Sequence, residues 1–405
     1  MKILVVCQYY YPEPFRINDI CEEMVKRGHE VTVVTGEPNY PEGQIYKGYE
    51  KHAHADEVIN GVKVHRCPII PRKNGAVYRL LNYFSYPKKA KKYIKGLMAS
   101  DGKPFDVAFV NQLSPVMMAE PAIEYRKRYG TPIVMYCLDL WPESLIAGGV
   151  SRGSLIYKVF HKISKNVYRN VDCILITSRM FRGYLIKQFG VKDKRIEYLP
   201  QYAEDLFESL PYKENAGIVD LVFAGNIGEV QSVETIIRAA EQLKNEKVHF
   251  HIVGGGTDLE RLKKIAGDAD NITFYGRRNL EEMPEFYAKA DAMLVTLKAD
   301  PVLSLTLPGK VQSYMAVGKP IIGVIDGETA EVIKEAKCGY CGKADTVDEL
   351  VENIKLFMSS SDKKQMGLNA RMFYEEFYAR DKFMDKLEEE FKNFFRNRLS
   401  TDEGI

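Results

Sequence analysis

The feature that most constrains this chain is a rhythm that runs twice along it, in which short β-branched runs alternate with amphipathic stretches of helical period. In the first half "ILVV" is followed by "INDICEEMVKRG" and then "HEVTVVTG", which predicts strand, helix, strand, with Gly28 closing the helix. "GVKVHRCPII", "DVAFVN", "PIVMYC" and "CILITS" continue the series. Strands joined through helices return in the same direction, so they build a parallel, doubly wound sheet. A stretch rich in Pro, Tyr and acids, "EYLPQYAEDLFESLPYKENAG", reads as a linker. The rhythm then restarts with "VDLVFAGNIG", "VETIIRAAEQLKN", "VHFHIVGGG", "LERLKKIAGD", "ITFYG", "AMLVTL" and "PIIGVI".

With 405 residues, 45% of them hydrophobic, there is core enough for two domains. The expectation is therefore an α/β chain of two Rossmann-like domains, residues 1–200 and 215–370, whose strand ends face a common cleft. A strandless, charged and aromatic C-terminal stretch predicts a helix at 375–400 that packs back on the first domain.

Composition narrows the function. Net charge is +2, so no bulk field draws the chain to nucleic acid, and any anion site must be local. Seven scattered cysteines suit a reduced, cytosolic chain. Cys338 and Cys341 form a lone CxxC with no second pair or nearby histidine, so packing is expected of them rather than zinc or redox chemistry. "MKILVVCQYYYPEP" has an apolar run far shorter than the ~20 residues of a membrane span, and it reads as a buried strand rather than a leader.

The local anion site has a candidate. "LPGKVQSYMAVGKPII" is a tight turn, Pro308–Gly309, opening a helix with Lys310 at its start, and the free N–H groups and positive end of such a helix suit a phosphate. A solvated lysine at a helix start is the alternative. "FAGNIGEVQS" sets Gly225, Asn226 and Gly228 after a strand, "HIVGGGTDLE" sets Gly254 to Gly256 before a helix, and "FYGRRN" adds Arg277 and Arg278. Each glycine alone would serve only to let a turn tighten; together with the three cations they predict a nucleotide with phosphates. The first βα turn, "QYYYPEPFRIND", lacks glycine, which argues against a nicotinamide or flavin enzyme.

On "FRINDI", "GEPNYPEGQIYKGY", "DLWPESL", "FAGNIGEVQSVE" and "LPGKVQSYMAVGKPII", which fall in order over nearly the whole chain, the sequence resembles the GT-B glycosyltransferases of family 4, and within them a capsule and O-antigen group that looks like L-fucosamine transferases. The resemblance implies a UDP-sugar donor in the C-terminal domain and a lipid-linked saccharide acceptor at the N-terminal one. It also implies that no metal or organic cofactor is needed and that the transferred sugar is N-acetyl-L-fucosamine.

The sequence departs from that family where charge matters. The Arg and Lys that usually follow the first donor-domain strand match Asn226 and Gln231; of the two usual glutamates, one matches Ser313 and the other matches no acid in "DPVLSLTLPGK". The usual glycine pair of the first N-terminal loop is replaced by Phe15 and Arg16. A departing diphosphate needs preorganised positive charge, which leaves Lys310, the helix start behind it and Arg16 to supply it. Arg16 in a surface salt bridge is the plain alternative.

Asp139, at the end of the strand "PIVMYC" and next to Leu138 where the family carries histidine, either takes the acceptor's proton or caps the following turn. Asp19 and Glu143 are lesser candidates, and Trp141 is either core or a sugar platform. In the segment 72–95, Arg72, Lys73, Arg79, Lys88, Lys89, Lys91, Lys92 and Lys95 interleave with Leu80, Leu81, Tyr83, Phe84 and Tyr86. Such a stretch either lies on an anionic membrane surface, here the inner face of the cell membrane, or is a solvated helix face. Two other functions fit the same two-domain plan: a UDP-sugar 2-epimerase and a non-catalytic nucleotide-sugar-binding assembly partner.

Overall fold

A computed structural model describes residues 1–71, 75–147, 149–211 and 217–402 and resolves the chain into two compact units. Unit 1 comprises Met1–Thr177, Phe181–Leu199 and Met384–Ile405; unit 2 comprises Ser178–Met180 and Pro200–Phe383. Both are doubly wound α/β layers, as the alternating pattern requires.

Unit 1 holds an eight-stranded sheet in the order β3-β4-β2-β1-β5-β6-β7-β8. Its strands are β1 (Lys2–Val6), β2 (Glu30–Gly36), β3 (Asp56–Ile59), β4 (Val62–Cys67), β5 (Val107–Gln112), β6 (Ile133–Cys137), β7 (Cys173–Ile176) and β8 (Ile196–Tyr198). All pair in parallel except β3 with β4. The sequence pattern misses both edge strands. β3 is a four-residue strand whose faces are exposed or half-exposed, so it carries no run of apolar residues, and β8 takes the first residues of the expected linker, Glu197 and Tyr198. β5 and β6, in the middle of the sheet, are buried along their whole length, which is why β6 and the first four residues of β5 read as unbroken apolar runs.

The Arg380–Asp402 helix contributes its part from Met384 onward to unit 1. Phe391 sets its ring 5.2 Å from that of Phe109 on β5, and Glu388 accepts from Arg27 at 3.1 Å beside the Ile17–Lys26 helix. Trp141 is fully buried, its ring edge-on to Phe160 at 4.8 Å and to Tyr83 at 5.8 Å, so it is core and not a sugar platform.

Unit 2 holds a six-stranded parallel sheet in the order β11-β10-β9-β12-β13-β14. Its strands are β9 (Val219–Ala224), β10 (Val248–Val253), β11 (Ile272–Gly276), β12 (Ala292–Thr296), β13 (Ile321–Val324) and β14 (Gly339–Gly342). Alternation along the strands feeds two cores. Leu221, Phe223 and Ile252 join Ile236 and Leu350 of the Val233–Gln242 and Val347–Ser359 helices. Val222, Val253 and Met293 join Val311, Tyr314 and Ala370 of the Gly309–Ala316 and Lys363–Phe377 helices. Cys338, just before β14, is buried and Cys341, on β14, is half-buried, their thiols donating to the Ile333 and Ile325 carbonyls; both pack as structural thiols. Among the described residues no helix is long and apolar enough to cross a membrane, and no three His, Cys, Asp or Glu side chains converge as a metal set.

Candidate functional site

In unit 2 the connections leave β9 and β12 in opposite directions, so a crevice opens where those neighbouring strands end. The loop after β9 lies against the loop after β10: Gly225 N–H donates to the Val253 carbonyl at 3.0 Å and Ile227 N–H to that of Gly255 at 2.9 Å. The approach tolerates no side chain. A Cβ on Gly254, at φ +150°, would stand 1.8 Å from the Gly225 oxygen, and one on Gly256 would stand 2.2 Å from the Ile227 oxygen. These glycines therefore serve loop packing first. Gly225 differs, because what a Cβ there would meet, at 2.8 Å, is the Lys310 ammonium.

Lys310 enters from the other side of the crevice. Pro308 is the residue before the Gly309–Ala316 helix, at φ −62° and ψ 135°, and no side chain caps the helix start. Tyr314, one turn on, both donates to the Ala224 carbonyl at 3.0 Å and accepts from its N–H at 3.1 Å, which fixes the helix against the end of β9. The Lys310 ammonium donates to Gln231 Oε1 at 2.7 Å and sits 4.1 Å from the centre of the Phe223 ring. Among the described residues no carboxylate pairs with it. Enclosure without a counter-charge pushes its pKa down to about 7.

The surroundings hold this geometry. Thr296 donates to the Gln231 carbonyl at 2.6 Å. The turn ahead of Pro308 is gripped from the Glu328–Ala336 helix: Thr329 donates to the Thr306 carbonyl at 3.3 Å, and a Cβ on Gly327 would stand 1.9 Å from the Ser304 oxygen. Ser313 is buried, donating to Glu204 Oε2 at 3.3 Å. Asn226 is exposed at the loop tip.

The two arginines separate. Both are exposed past β11; Arg277 lies beside Gly255, where a Cβ would be 3.3 Å from its own, whereas Arg278 donates to the Tyr275 carbonyl at 3.2 Å and faces Glu282 at 3.5 Å. Arg278 is thus engaged in its own turn rather than gathered with Lys310. A neighbouring cavity of about 670 Å³ makes the contrast plain. Its cations have internal partners, Arg261 with Asp258 and Glu234, and Lys298 with Glu229. Lys310 does not.

In unit 1 the corresponding divergence lies between β1 and β5. The Asp139 carboxylate, just past β6, accepts from Ser114 on the loop after β5, and Ser114 in turn meets Ser144 Oγ at 2.9 Å. Burial raises the Asp139 pKa, against the two serines, which lower it. Arg16 precedes the Ile17–Lys26 helix and Asp19 is exposed in its first turn. Glu143 is a packing hub and no free acid, since its buried carboxylate holds Arg152 at 2.9 Å and the hydroxyls of Tyr157, at 2.7 Å, and Tyr184.

Three site residues escape sequence reasoning. Phe223 reads as an ordinary strand residue, and Ser114 leaves no signal. Glu13, an acid between two prolines, does leave one: it is fully buried, accepts from the N–H groups of Asn39 at 2.8 Å and Tyr40 at 2.7 Å, and has its pKa raised to about 7 by burial.

Comparison with known proteins fits this division of the chain. The family described as "Glycosyl transferase 4-like domain" matches residues 15–201, and "Glycosyl transferases group 1" matches residues 207–373. A relative in Escherichia coli K12, provisionally designated the colanic acid biosynthesis glycosyl transferase WcaI, is 28% identical over 78% of this chain and 82% of its own. Sucrose-phosphate synthase from Thermosynechococcus elongatus superposes with a TM-score of 0.74 at 15% identity, covering 98% of this chain and 99% of its own. Anabaena Alr3699/HepE in complex with UDP gives 0.69 at 13%, covering 97% and 100%.

Proposed function

Since the chain belongs to the GT-B glycosyltransferases of the group 1 and 4-like family, we propose that it moves a sugar from a UDP-sugar to an undecaprenyl-diphosphate-linked saccharide in capsule or O-antigen synthesis. The observation that carries the donor reading is Lys310: a half-buried ammonium at a helix start that, among the described residues, faces a neutral amide and an aromatic ring and no carboxylate, in the crevice of unit 2. Such a group is stabilised by an anion that replaces its lost water. A diphosphate supplies that anion, and its charge grows as the sugar departs, so Lys310 binds the transition state more tightly than the ground state.

The relatives support the same reading. HepE, structurally similar, is described in complex with UDP, and WcaI is designated for colanic acid biosynthesis. In the transfer the acceptor hydroxyl loses its proton, its oxygen bonds to the sugar's anomeric carbon, and the bond from that carbon to UDP breaks. Asp139 is the proposed proton acceptor, its raised pKa suiting the role. Gly225, Gln231 and Pro308 to Lys310 are the proposed diphosphate contacts, with Arg277 and Arg16 as further cations and Asp19 as the second choice of base. N-acetyl-L-fucosamine as the sugar, and a position on the inner face of the cell membrane through the basic segment 72–95, complete the proposal.

The test is calorimetry with UDP and UMP. Lys310→Ala is expected to weaken UDP binding by about 1.5–3 kcal/mol, the worth of a hydrogen bond to a charged group, and UMP binding much less. Equal losses for both nucleotides would place Lys310 away from the second phosphate.

A further inference from the structure

The basic segment is one of two helices in unit 1 built to the same plan. On the Ala76–Ile94 helix the exposed side chains of the first turns are mostly apolar, with Leu80 45%, Leu81 44% and Phe84 40% exposed beside Arg79, and those after them are basic, at Lys88, Lys89 and Lys92. Arg72 and Lys73, ahead of it, lie outside the described residues. The Leu155–Arg169 helix, distant in sequence, follows a similar plan: Leu155 77%, Ile156 57% and Val159 50% exposed, with the exposed Lys158 among them and Lys162 and Lys165 after them. Phe84 stacks on Phe160 at 6.2 Å and Tyr83 meets the same ring edge-on at 6.5 Å, so the two apolar tips adjoin.

Charge selects the occupant. Neither helix contains an acidic residue; the first carries five Lys or Arg and the second four. Lys91 is neutralised by Glu120, but Lys88, Lys89, Lys92, Lys162 and Lys165 have no ion pair among the described residues. In a chain of net charge +2 this is a strong local excess. An apolar tip backed by long basic side chains matches the depth profile of an anionic bilayer, in which hydrocarbon lies beneath a layer of phosphates that lysines reach by snorkelling.

We propose that the two helices form a single membrane-docking face, in which Leu155, Ile156 and Val159 insert beside Leu80, Leu81 and Phe84 while the lysines behind them bind lipid phosphates. The inference rests on the membrane position proposed above and adds to it the second helix and the mode of contact.

The test is co-sedimentation of the full chain with vesicles of phosphatidylglycerol and phosphatidylethanolamine, with phosphatidylcholine vesicles as the comparison. Wild type is expected to bind the anionic vesicles at least tenfold more tightly, and Leu155→Ser, Ile156→Ser and Val159→Ser together to weaken that binding at least tenfold in salt high enough to screen the lysines. These side chains are exposed, so an unchanged melting temperature and unchanged UDP binding confirm the fold of the variant. Wild type that ignores anionic vesicles would overturn the membrane position and the inference with it. Wild type that binds while the triple variant binds equally well would overturn the inference alone. A dimer in solution that the triple variant breaks would assign the face to a second copy instead.

Discussion

The loops that follow the first strand of each sheet occupy equivalent places in two similar folds, and they are filled in opposite ways. After β9 the chain is cleared of side chains at Gly225 and packed against Gly254 and Gly256, and an ammonium points into the space with no carboxylate opposite it. After β1 the loop has no glycine; Tyr9 and Phe15 stack at 5.3 Å, Tyr40 tilts against both, and Glu13 is buried beneath, holding two backbone N–H groups. One loop leaves a cation needing an anion. The other buries a carboxylate that accepts from two backbone N–H groups through one oxygen only, beneath a cluster of aromatic rings. Topology makes both positions available, and the side chains are what lead us to propose unit 2 as the place for the nucleotide's charge.

The comparison breaks most severely at Asp139. If it is the base, Asp139→Asn is expected to lower turnover 10²- to 10⁴-fold with little change in UDP-sugar affinity. If its bond to Ser114 serves only to hold the loops, turnover stays near wild type and stability falls by about 1 kcal/mol, as for a lost structural hydrogen bond. Steady-state kinetics beside thermal melts separate the two outcomes.

A second and smaller effect concerns pH. Lys310 is lowered to about 7 in the ligand-free fold and regains its proton when an anion arrives, so UDP affinity is expected to fall as pH rises above 7, approaching tenfold per unit. Titrations between pH 6 and 9 check this, and Lys310→Met should flatten the slope.

The smallest effect is on stability. Because the folded pKa lies below the unfolded value, the unfolded chain holds more protons between about pH 7 and 10.5, and the half-buried lysine costs most stability below pH 7. Lys310→Met is therefore expected to raise the ligand-free protein's stability by roughly 1 kcal/mol near pH 6 and by less at pH 9, as trading a functional site's strain for packing commonly does. Denaturant melts at the two pH values measure it.

Much of this was legible in the sequence, and what was not has physical causes. The strands β1, β2, β5, β6, β9 and β12 announce themselves because they are buried along nearly their whole length, which forces runs of mostly apolar residues. β3 and β8, at the sheet's edges, obey no such constraint and stay silent. The turn at Pro308–Lys310 is visible because helix starts have local chemistry. What completes it comes from elsewhere in the chain: Phe223 and Gln231 reach Lys310 through the packing of β9 against the Gly309–Ala316 helix, and Ser114 reaches Asp139 through the pairing of β5 with β6. Arg278 is the converse case, since a cation's position along the chain does not show that Glu282, four residues on, will stand 3.5 Å from it.

The most direct test of Lys310 as the diphosphate's partner is the count of protons taken up when UDP binds, measured by calorimetry at pH 8 in two buffers of different ionisation enthalpy. At that pH the ligand-free lysine is mostly neutral, so wild type is expected to take up close to one proton per UDP and Lys310→Met close to none. Equal uptake by the two proteins, or none by either, would contradict the assignment.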